Sequence, residues 1–343
     1  MLNMLNIKNE KRKEIPIFFA TDDNYIPFLD IAIRSLKENA SKNYNYIIHV
    51  LNTGIKQENI DVIKLHEDNN FKIDFYDATN FIEPVKNKLQ NVYHFTVEMY
   101  YRIFIEKMFP QYSKVLYLDC DIIVLGDISK LYNTPLGNNL VAGCTCRIVY
   151  DHPVFNRYAR EALGLNPRNY FNSGVLLMNL EAFRYHNIVE KFIYLMNTYN
   201  FDLVDPDQAY LNFLCNGRAK ILPNGWNKEA VPAPLEGDLN IVHYALYKKP
   251  WQYDDVLNGE YFWHYAKQSP FYEQILKQKA EFTDEKKAVK DKANVAIVEH
   301  AEKIIKAPNT MYNILVKNKE TEKPFSVDIL SILDTFLSAG NLI

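Results

Sequence analysis

Two aspartates follow a short apolar run in the middle of the chain. In VLYLDCDIIVL, Asp119 and Asp121 stand two residues apart, so on an extended backbone their side chains point to the same face. Paired carboxylates are hard oxygen ligands for a divalent cation that also binds phosphate. The same spacing recurs at Asp205 and Asp207 and is therefore weak evidence. The apolar flanks favour a metal, because two carboxylates in a dry setting repel each other without one.

A histidine in another apolar run, IVHY, is the candidate for a third metal ligand. A histidine beside a strand more often serves the structure, but an acid pair needs a further protein ligand, and His243 is the best candidate in the chain. An imidazole nitrogen shifts the preference from Mg²⁺ towards Mn²⁺. We therefore expect Mn²⁺, with Mg²⁺ as the alternative.

The elements that must position these residues follow from hydrophobic periodicity. Short β-branched and aromatic runs alternate with amphipathic stretches over the first 250 residues, which predicts an α/β fold with a mostly parallel sheet. Strands are expected at 15–19, 46–51, 71–76, 115–118 and 174–180. The run 122–125 is expected to resume the strand 115–118 after the aspartates. Helices are expected around 29–36 and at 97–109, 181–198 and 207–215.

Composition excludes several classes of protein. Lys+Arg 39 against Asp+Glu 42 gives a net charge of −3, so no overall basic field attracts nucleic acid. The four cysteines contain no CxxC pair, which favours reduced, buried thiols over a zinc site or a disulfide. Charges interrupt the amino-terminal MLNMLNIKNEKRKE, and no apolar run reaches the roughly 18 residues of a spanning helix. We expect a cytoplasmic protein.

The composition changes after about residue 277. We expect an N-terminal extension at 1–14, one main domain at 15–277 and a helical C-terminal appendage at 278–343. The appendage has an apolar helical face formed by Ile329, Ile332, Leu333 and Phe336. That face is expected to pack on the main domain or on a second copy of the chain. The alternative is a peripheral contact with the inner face of the membrane, which the interleaved acidic residues weaken.

Seven segments, in order from Ile15 to Trp251, together resemble glycosyltransferase family 8. They are FFATDDNY, YYRIFI, VLYLDCDIIVLGDI, YFNSGVLLMNLEAFR, DPDQAYLN, LPNGWN and VHYALYKKPW. This family comprises retaining transferases that use nucleotide sugars, including bacterial lipopolysaccharide galactosyl- and glucosyltransferases and glycogenin. The resemblance implies a single Rossmann-like domain of the GT-A type, with the donor at the carboxyl ends of the strands.

The resemblance also implies a role for each matched residue. The implied metal ligands are Asp119, Asp121 and His243. The implied uridine-binding residues are Ala20, Asp22, Asn24 and Tyr25. The residues implied at the donor sugar and its phosphates are Arg102, Asn172, Ser173, Asp207, Gln208 and Lys249. Of these, Lys249 would neutralise the leaving diphosphate, and Asp207 and Gln208 would line the reactive face of the sugar.

Two positions depart from the family pattern, and a third matches only some members of the family. Ser173 stands where many members have alanine. His94 matches an acceptor-site histidine of some members, and Leu246 replaces a glycine that usually follows the metal histidine.

The implied activity is Mn²⁺-dependent transfer of glucose or galactose from a UDP-sugar to a glycan, lipooligosaccharide or other cell-surface acceptor. Retention requires either a nucleophile, for which Asp207 is suitable, or attack from the face that UDP leaves, with Gln208 as an electrostatic aid. One alternative is a protein of the same fold that binds a nucleotide sugar without turnover. Another is a metal-dependent nucleotidyltransferase or phosphatase, although the glycine-rich lysine loop or additional acids that it would need are not visible.

Overall fold

The computed structural model describes residues 12–86, 97–245 and 248–317. Its strands are β1 (Lys13–Ala20), β2 (Tyr44–Asn52), β3 (Phe71–Asp77), β4 (Lys114–Leu118), β5 (Ile122–Val124), β6 (Val141–Cys144), β7 (Val175–Asn179), β8 (Ala219–Leu222), β9 (Lys228–Glu229) and β10 (Ile241–His243). Its α-helices are α1 (Ile26–Asn39), α2 (Gln57–Lys64), α3 (Thr79–Lys86), α4 (Tyr101–Met108), α5 (Ile128–Tyr132), α6 (Arg147–Asp151), α7 (Pro153–Arg157), α8 (Leu180–Tyr185), α9 (Ile188–Tyr199), α10 (Pro206–Leu214), α11 (Gly259–Ala266), α12 (Tyr272–Ala280) and α13 (Asp284–Lys306).

The main sheet is mixed and mostly parallel, as expected from the sequence. Its strand order is β3-β2-β1-β4-β7-β6-β8, with β3, β2, β1 and β4 parallel and β7 antiparallel to both of its neighbours. Helices cover both faces, so the central strands are apolar on both sides. In β1, Phe18 joins one core and Ile17 and Phe19 join the other. This arrangement confirms the predicted α/β class with a mixed, mostly parallel sheet.

The run 122–125 does not resume β4, so this prediction was wrong. Instead β5 pairs antiparallel with β10, with His243 opposite Ile122, in a separate sheet of order β5-β10-β9. The backbone N–H of Asp119 still donates to Gly174 O at 2.7 Å, whereas Tyr244 N donates to Asp121 O at 2.9 Å. The two aspartates therefore lie at the junction of two sheets, a position that local periodicity cannot reveal.

Two predicted helices differ in detail from the structure. The stretch 97–109 begins as a 3-10 turn over Val97–Tyr100 and continues as α4. The stretch 181–198 is two helices, α8 and α9, because Asn187 between them adopts a left-handed conformation with φ 52° and ψ 50°. The other predicted helices, α1 and α10, lie where the periodicity placed them.

Beyond residue 277, the long helix α13 packs on the main domain. It contacts α7 and the π-helical turn Tyr158–Ala162, and its residues Ile297, Ala301 and Ile304 join the larger hydrophobic core. Among the residues that the structure describes, no helix is long and apolar enough to cross a membrane. All four cysteines are free and buried.

Some of the predicted features lie outside the described residues. These are His94, Leu246 and the apolar face formed by Ile329, Ile332, Leu333 and Phe336.

Candidate active site

The acid pair and the histidine converge where the two sheets meet. The Nε2 atom of His243 lies 3.2 Å from Asp121 Oδ1 and 3.7 Å from Asp119 Oδ2. One ligand atom from each of the three side chains falls within 4.8 Å of the other two. Burial alone would raise the pKa of Asp121, but Lys249 and His243 outweigh it and hold the pKa well below its ordinary value. The site thus presents an ionised carboxylate and a second carboxylate to an imidazole.

The space between Gly174 and the side chains of Asp119 and His243 is too small for any side chain at position 174. A Cβ atom at position 174 would lie 2.4 Å from Asp119 Oδ2 and 2.4 Å from His243 Cε1, far closer than van der Waals contact allows. Any side chain here would push the carboxylate and the imidazole out of position. The donor set and this side-chain-free wall fit a divalent cation held by Asp119, Asp121 and His243.

The amide of Asn227 fixes the orientation of the histidine ring. His243 Nδ1 lies 2.8 Å from Asn227 Oδ1, and Asn227 Nδ2 donates to Asn172 Oδ1 at 2.9 Å. Because the amide oxygen can accept from Nδ1–H, Nε2 is the ring nitrogen that faces the carboxylates, and it can bind a cation once it carries no proton. Such a partner behind a metal-binding histidine selects the ligating tautomer.

Lys249 places a positive charge against the acid pair. Its buried Nζ donates to Asp121 Oδ2 and to the backbone oxygen of Tyr244. Burial would lower the pKa of Lys249, but the attraction of Asp121 outweighs it and the pKa lies above its ordinary value. The ammonium therefore stays charged and lies where it can also neutralise a phosphate.

Arg102 connects the acid pair to the start of α10. Its Nη2 donates to Asp119 Oδ1 at 3.0 Å, and its Nε lies 3.4 Å from Asp207 Oδ2. Its Nη1 donates to the backbone oxygen of Ser173 at 2.6 Å, and the guanidinium lies 4.3 Å from the ring centre of Tyr117. Burial raises the pKa of Asp207 to about 6, although Arg102 opposes the shift. The buried arginine thus orients the carboxylates of Asp119 and Asp207.

The amide of Gln208 is held at both ends. Its Oε1 accepts from the backbone N–H of Ser173 at 2.9 Å, and its Nε2 donates to Asp205 Oδ2 at 2.9 Å. The same Asp205 oxygen accepts from the Tyr170 hydroxyl at 2.6 Å. Burial raises the pKa of Asp205 to about 7. These contacts fix the orientation of the Gln208 amide.

A single cavity of about 260 Å³ gathers the predicted site residues. Every one of them lines it except Asn24, whose exposed amide donates to Asp22 Oδ2 at 2.9 Å. The other Asp22 oxygen accepts from the backbone N–H of Tyr25 at 3.0 Å. Asn24 therefore shapes the loop from outside the cavity, whereas Ala20, Asp22 and Tyr25 face into it.

Sequence reasoning missed several residues of this site, among them Gly174, Asn227, Asp205 and Ile297. Gly174, Asn227 and Asp205 all lie within the segments YFNSGV, LPNGWN and DPDQ that carried the family resemblance, so closer attention to those segments would have found them. The fourth, Ile297 of α13, lines the cavity from beyond residue 277. Nothing in its local sequence distinguishes it from an ordinary core residue.

An acid pair and a histidine that could hold a metal ion line a cavity where the two sheets of this α/β fold meet, and the fold is of the GT-A type, as in the solved glycosyltransferases it resembles. The model of glycosyl transferase family 8 matches residues 16–255. The chain belongs to this family and is a glycosyltransferase, which confirms the resemblance seen in the sequence.

Three similar proteins support the assignment. Lipopolysaccharide 1,2-glucosyltransferase of Escherichia coli is 27% identical over 286 residues, which cover 77% of this chain and 81% of the relative. The structure of an active-site mutant of LgtC is 25% identical with a TM-score of 0.64, covering 75% of this chain and 96% of LgtC. The apo structure of the bifunctional glycosyltransferase WbbM is 25% identical with a TM-score of 0.68 and covers 78% of this chain. The chain spans about half of WbbM, 52% of its length.

Proposed function

We propose that this chain transfers a hexose, glucose or galactose, from a UDP-sugar to a cell-surface glycan or lipooligosaccharide, with a divalent metal and with retention. The observation that carries the proposal is the cluster of Asp119, Asp121 and His243 with Lys249 in the cavity that also contains Gln208. The named activity of the E. coli relative supports a hexose donor and a lipopolysaccharide-like acceptor. We further propose that the enzyme acts in the cytoplasm, where UDP-sugars are made.

The leaving group determines what the site must provide. Breaking the anomeric C–O bond leaves negative charge on UDP, and a cation held by Asp119, Asp121 and His243 would supply positive charge to the diphosphate. Lys249 adds a second positive charge on the same side. Asp22 and Tyr25 would hold the uracil by hydrogen bonding and stacking at the other end of the donor.

Retention is proposed to follow from attack on the face that UDP leaves. Asp207 would be a hindered nucleophile, because its Oδ2 accepts from the Ser173 hydroxyl at 3.2 Å and faces Arg102. Gln208 is oriented by contacts at both ends of its amide and can place a partial negative charge near the anomeric carbon as positive charge develops there. The departing phosphate would then accept the proton of the acceptor hydroxyl.

The test is a screen of UDP-sugars for hydrolysis, with and without Mn²⁺. We expect UDP release that EDTA abolishes and Mn²⁺ restores, and tighter binding of UDP than of ADP or GDP. Asp121→Ala should lower turnover by about three orders of magnitude or more, since it removes both a metal ligand and the partner of Lys249. Asp61→Ala, on the exposed surface of α2, is the matched control. Full activity in EDTA would rule out the metal.

A further inference from the structure

The cavity lysine, Lys249, stands at the start of a tight turn. Its backbone oxygen accepts from the backbone N–H groups of Gln252 and Tyr253, both at 2.9 Å. The ring of Trp251 is buried and stacks on Phe28 of α1, with 3.8 Å between the ring centres. The conformation of this turn therefore determines where the backbone of Lys249 lies, and with it the place that its ammonium group can reach.

Helix α13 makes a second set of contacts with the same turn. Lys290 Nζ donates to Gln252 Oε1 at 2.5 Å and lies 5.9 Å from the ring centre of Tyr253. The ring of Tyr253 also packs edge-on against Phe282, which precedes α13, with 5.5 Å between the ring centres. The turn is thus held by α1 and by α13, two helices from distant parts of the chain.

Lys290 also brings a second positive charge close to Lys249. Burial and the charge of Lys249 lower the pKa of Lys290 to about 8, although Asp291 opposes the shift. The two ammonium groups therefore lie close enough for their charges to repel each other, and an anion beside Lys249 would offset that repulsion. The family match ends at residue 255, so Lys290 belongs to a part of the chain that the family model does not cover.

We propose that Lys290 is a positioning residue for the diphosphate of the donor, which holds the turn so that Lys249 points its ammonium group at the phosphates. Lys290 lies outside the lining of the cavity and acts through its bond to Gln252, which helps to fix the backbone of Lys249. Asp121 and the backbone oxygen of Tyr244 hold the Nζ end. A small displacement of a binding group weakens its interaction with the ligand strongly. The inference rests on the proposed function and gives α13 a role in donor binding.

The experiment measures the affinity of the full chain for UDP with Mn²⁺ by titration calorimetry at pH 7. Lys290→Met nearly keeps the length of the side chain but removes its hydrogen bond and its charge, so we expect the affinity to fall about fivefold or more. Gln252→Leu removes the acceptor of the same bond and leaves both lysines in place, and it should lower the affinity to a similar extent. Lys292→Met is the matched control, because Lys292 lies on the same helix and is exposed.

Double-mutant cycles separate a positioning role from a general loss of structure. In a chain that already carries Lys249→Met, the change Lys290→Met should alter the UDP affinity by less than about twofold, because the lysine through which Lys290 acts is gone. The pair Gln252→Leu and Lys290→Met should together cost no more than either change alone, because both remove one bond. This second cycle leaves the buried charge of Lys249 in place.

The inference is overturned if Lys290→Met binds UDP as tightly as Lys292→Met does. It is also overturned if Lys290→Met has the same effect with and without Lys249→Met, or if the effects of Gln252→Leu and Lys290→Met add. A natural chain that does not bind UDP with Mn²⁺ at all would instead overturn the proposed function.

Discussion

At the scale of single residues, the candidate metal site formed by Asp119, Asp121 and His243 depends on the open space beside it as much as on the three side chains themselves. Gly174 leaves room for the Asp119 carboxylate and the His243 ring, and Asn227 turns the ring so that Nε2 faces the carboxylates. Neither residue would contact the substrate through a side-chain charge. Gly174 acts by leaving space and Asn227 by holding the ring in place. Both effects determine whether three suitable ligands lie close enough to form one site.

Gly174→Ala should disrupt the cluster. The added methyl group would clash with both Asp119 and His243, so we expect the affinity for UDP with Mn²⁺ to fall about tenfold to a hundredfold, the usual range for a disturbed metal environment. Titration calorimetry with UDP and Mn²⁺ measures the change. Gly259→Ala is the control, because its Cβ would have its nearest neighbour at 3.5 Å. Equal affinities of the two variants would contradict the assigned role of Gly174.

Asp205 should make the free energy of unfolding depend on pH. Burial raises the pKa of Asp205 to about 7 in the folded state, whereas an unfolded aspartate has its ordinary pKa of about 4. The folded state therefore binds the proton more tightly, and this contribution to stability is lost as the pH rises from about 4 to about 7. Asp205→Asn cannot lose a proton, and its amide oxygen can still accept from Tyr170 and Gln208.

We therefore expect Asp205→Asn to gain stability relative to the natural chain as the pH rises through that window. The gain should level off above about pH 7 at roughly 4 kcal/mol, because the two pKa values differ by about 3 and each pKa unit is worth about 1.4 kcal/mol. Urea unfolding at several pH values measures it. Asp61→Asn, on an exposed side chain, should show no such trend. A stability difference that does not change between pH 4 and pH 8 would show that Asp205 keeps an ordinary pKa.

At the scale of elements, the break between α8 and α9 is set by one backbone conformation. Asn187 has φ 52° and ψ 50° and is exposed, so its side chain contributes little packing. Asparagine and glycine tolerate this left-handed conformation, whereas a β-branched residue does not. The break turns α9 back towards the core, where Phe192 and Ile193 are buried.

Asn187→Val should lower the free energy of unfolding by about 1–2 kcal/mol, the cost of the left-handed conformation for a β-branched residue. Asn187→Gly should leave it nearly unchanged. Denaturant midpoints of the two variants measure the difference. Glu181→Val introduces the same side chain at an exposed helical position of α8 and controls for helix propensity. If Asn187→Val and Glu181→Val cost the same, the backbone conformation at 187 does not determine the break.

At the scale of the whole molecule, the site lies where the two sheets meet. Asp119 directly follows β4 of the main sheet, Asp121 directly precedes β5 of the smaller one, and His243 ends β10 of the smaller sheet. Ile297 of α13 also lines the cavity, from a helix that lies outside the residues matched by the family model. Binding of UDP with a metal thus connects both sheets and is expected to stabilise the folded chain as a whole.

The sequence by itself determined the fold class and most of the polar residues that line the cavity. Strands such as β4 are apolar on both faces and are followed by polar residues, and this pattern depends only on local burial. The segments that resemble the family then assigned residue types such as Asp119, Gln208 and Lys249 to one end of the sheet. Twelve of the thirteen predicted site residues line the cavity, with Asn24 as the exception.

Only the tertiary structure decided how distant segments pair. Periodicity could not show that β5 leaves the sheet of β4 to join β10, because an apolar run looks the same in either sheet. It could not show that Asn227 orients His243, or that Ile297 reaches the cavity from α13. These contacts join residues far apart in the chain, and their geometry depends on the packing of the whole fold, which no local pattern of residues encodes.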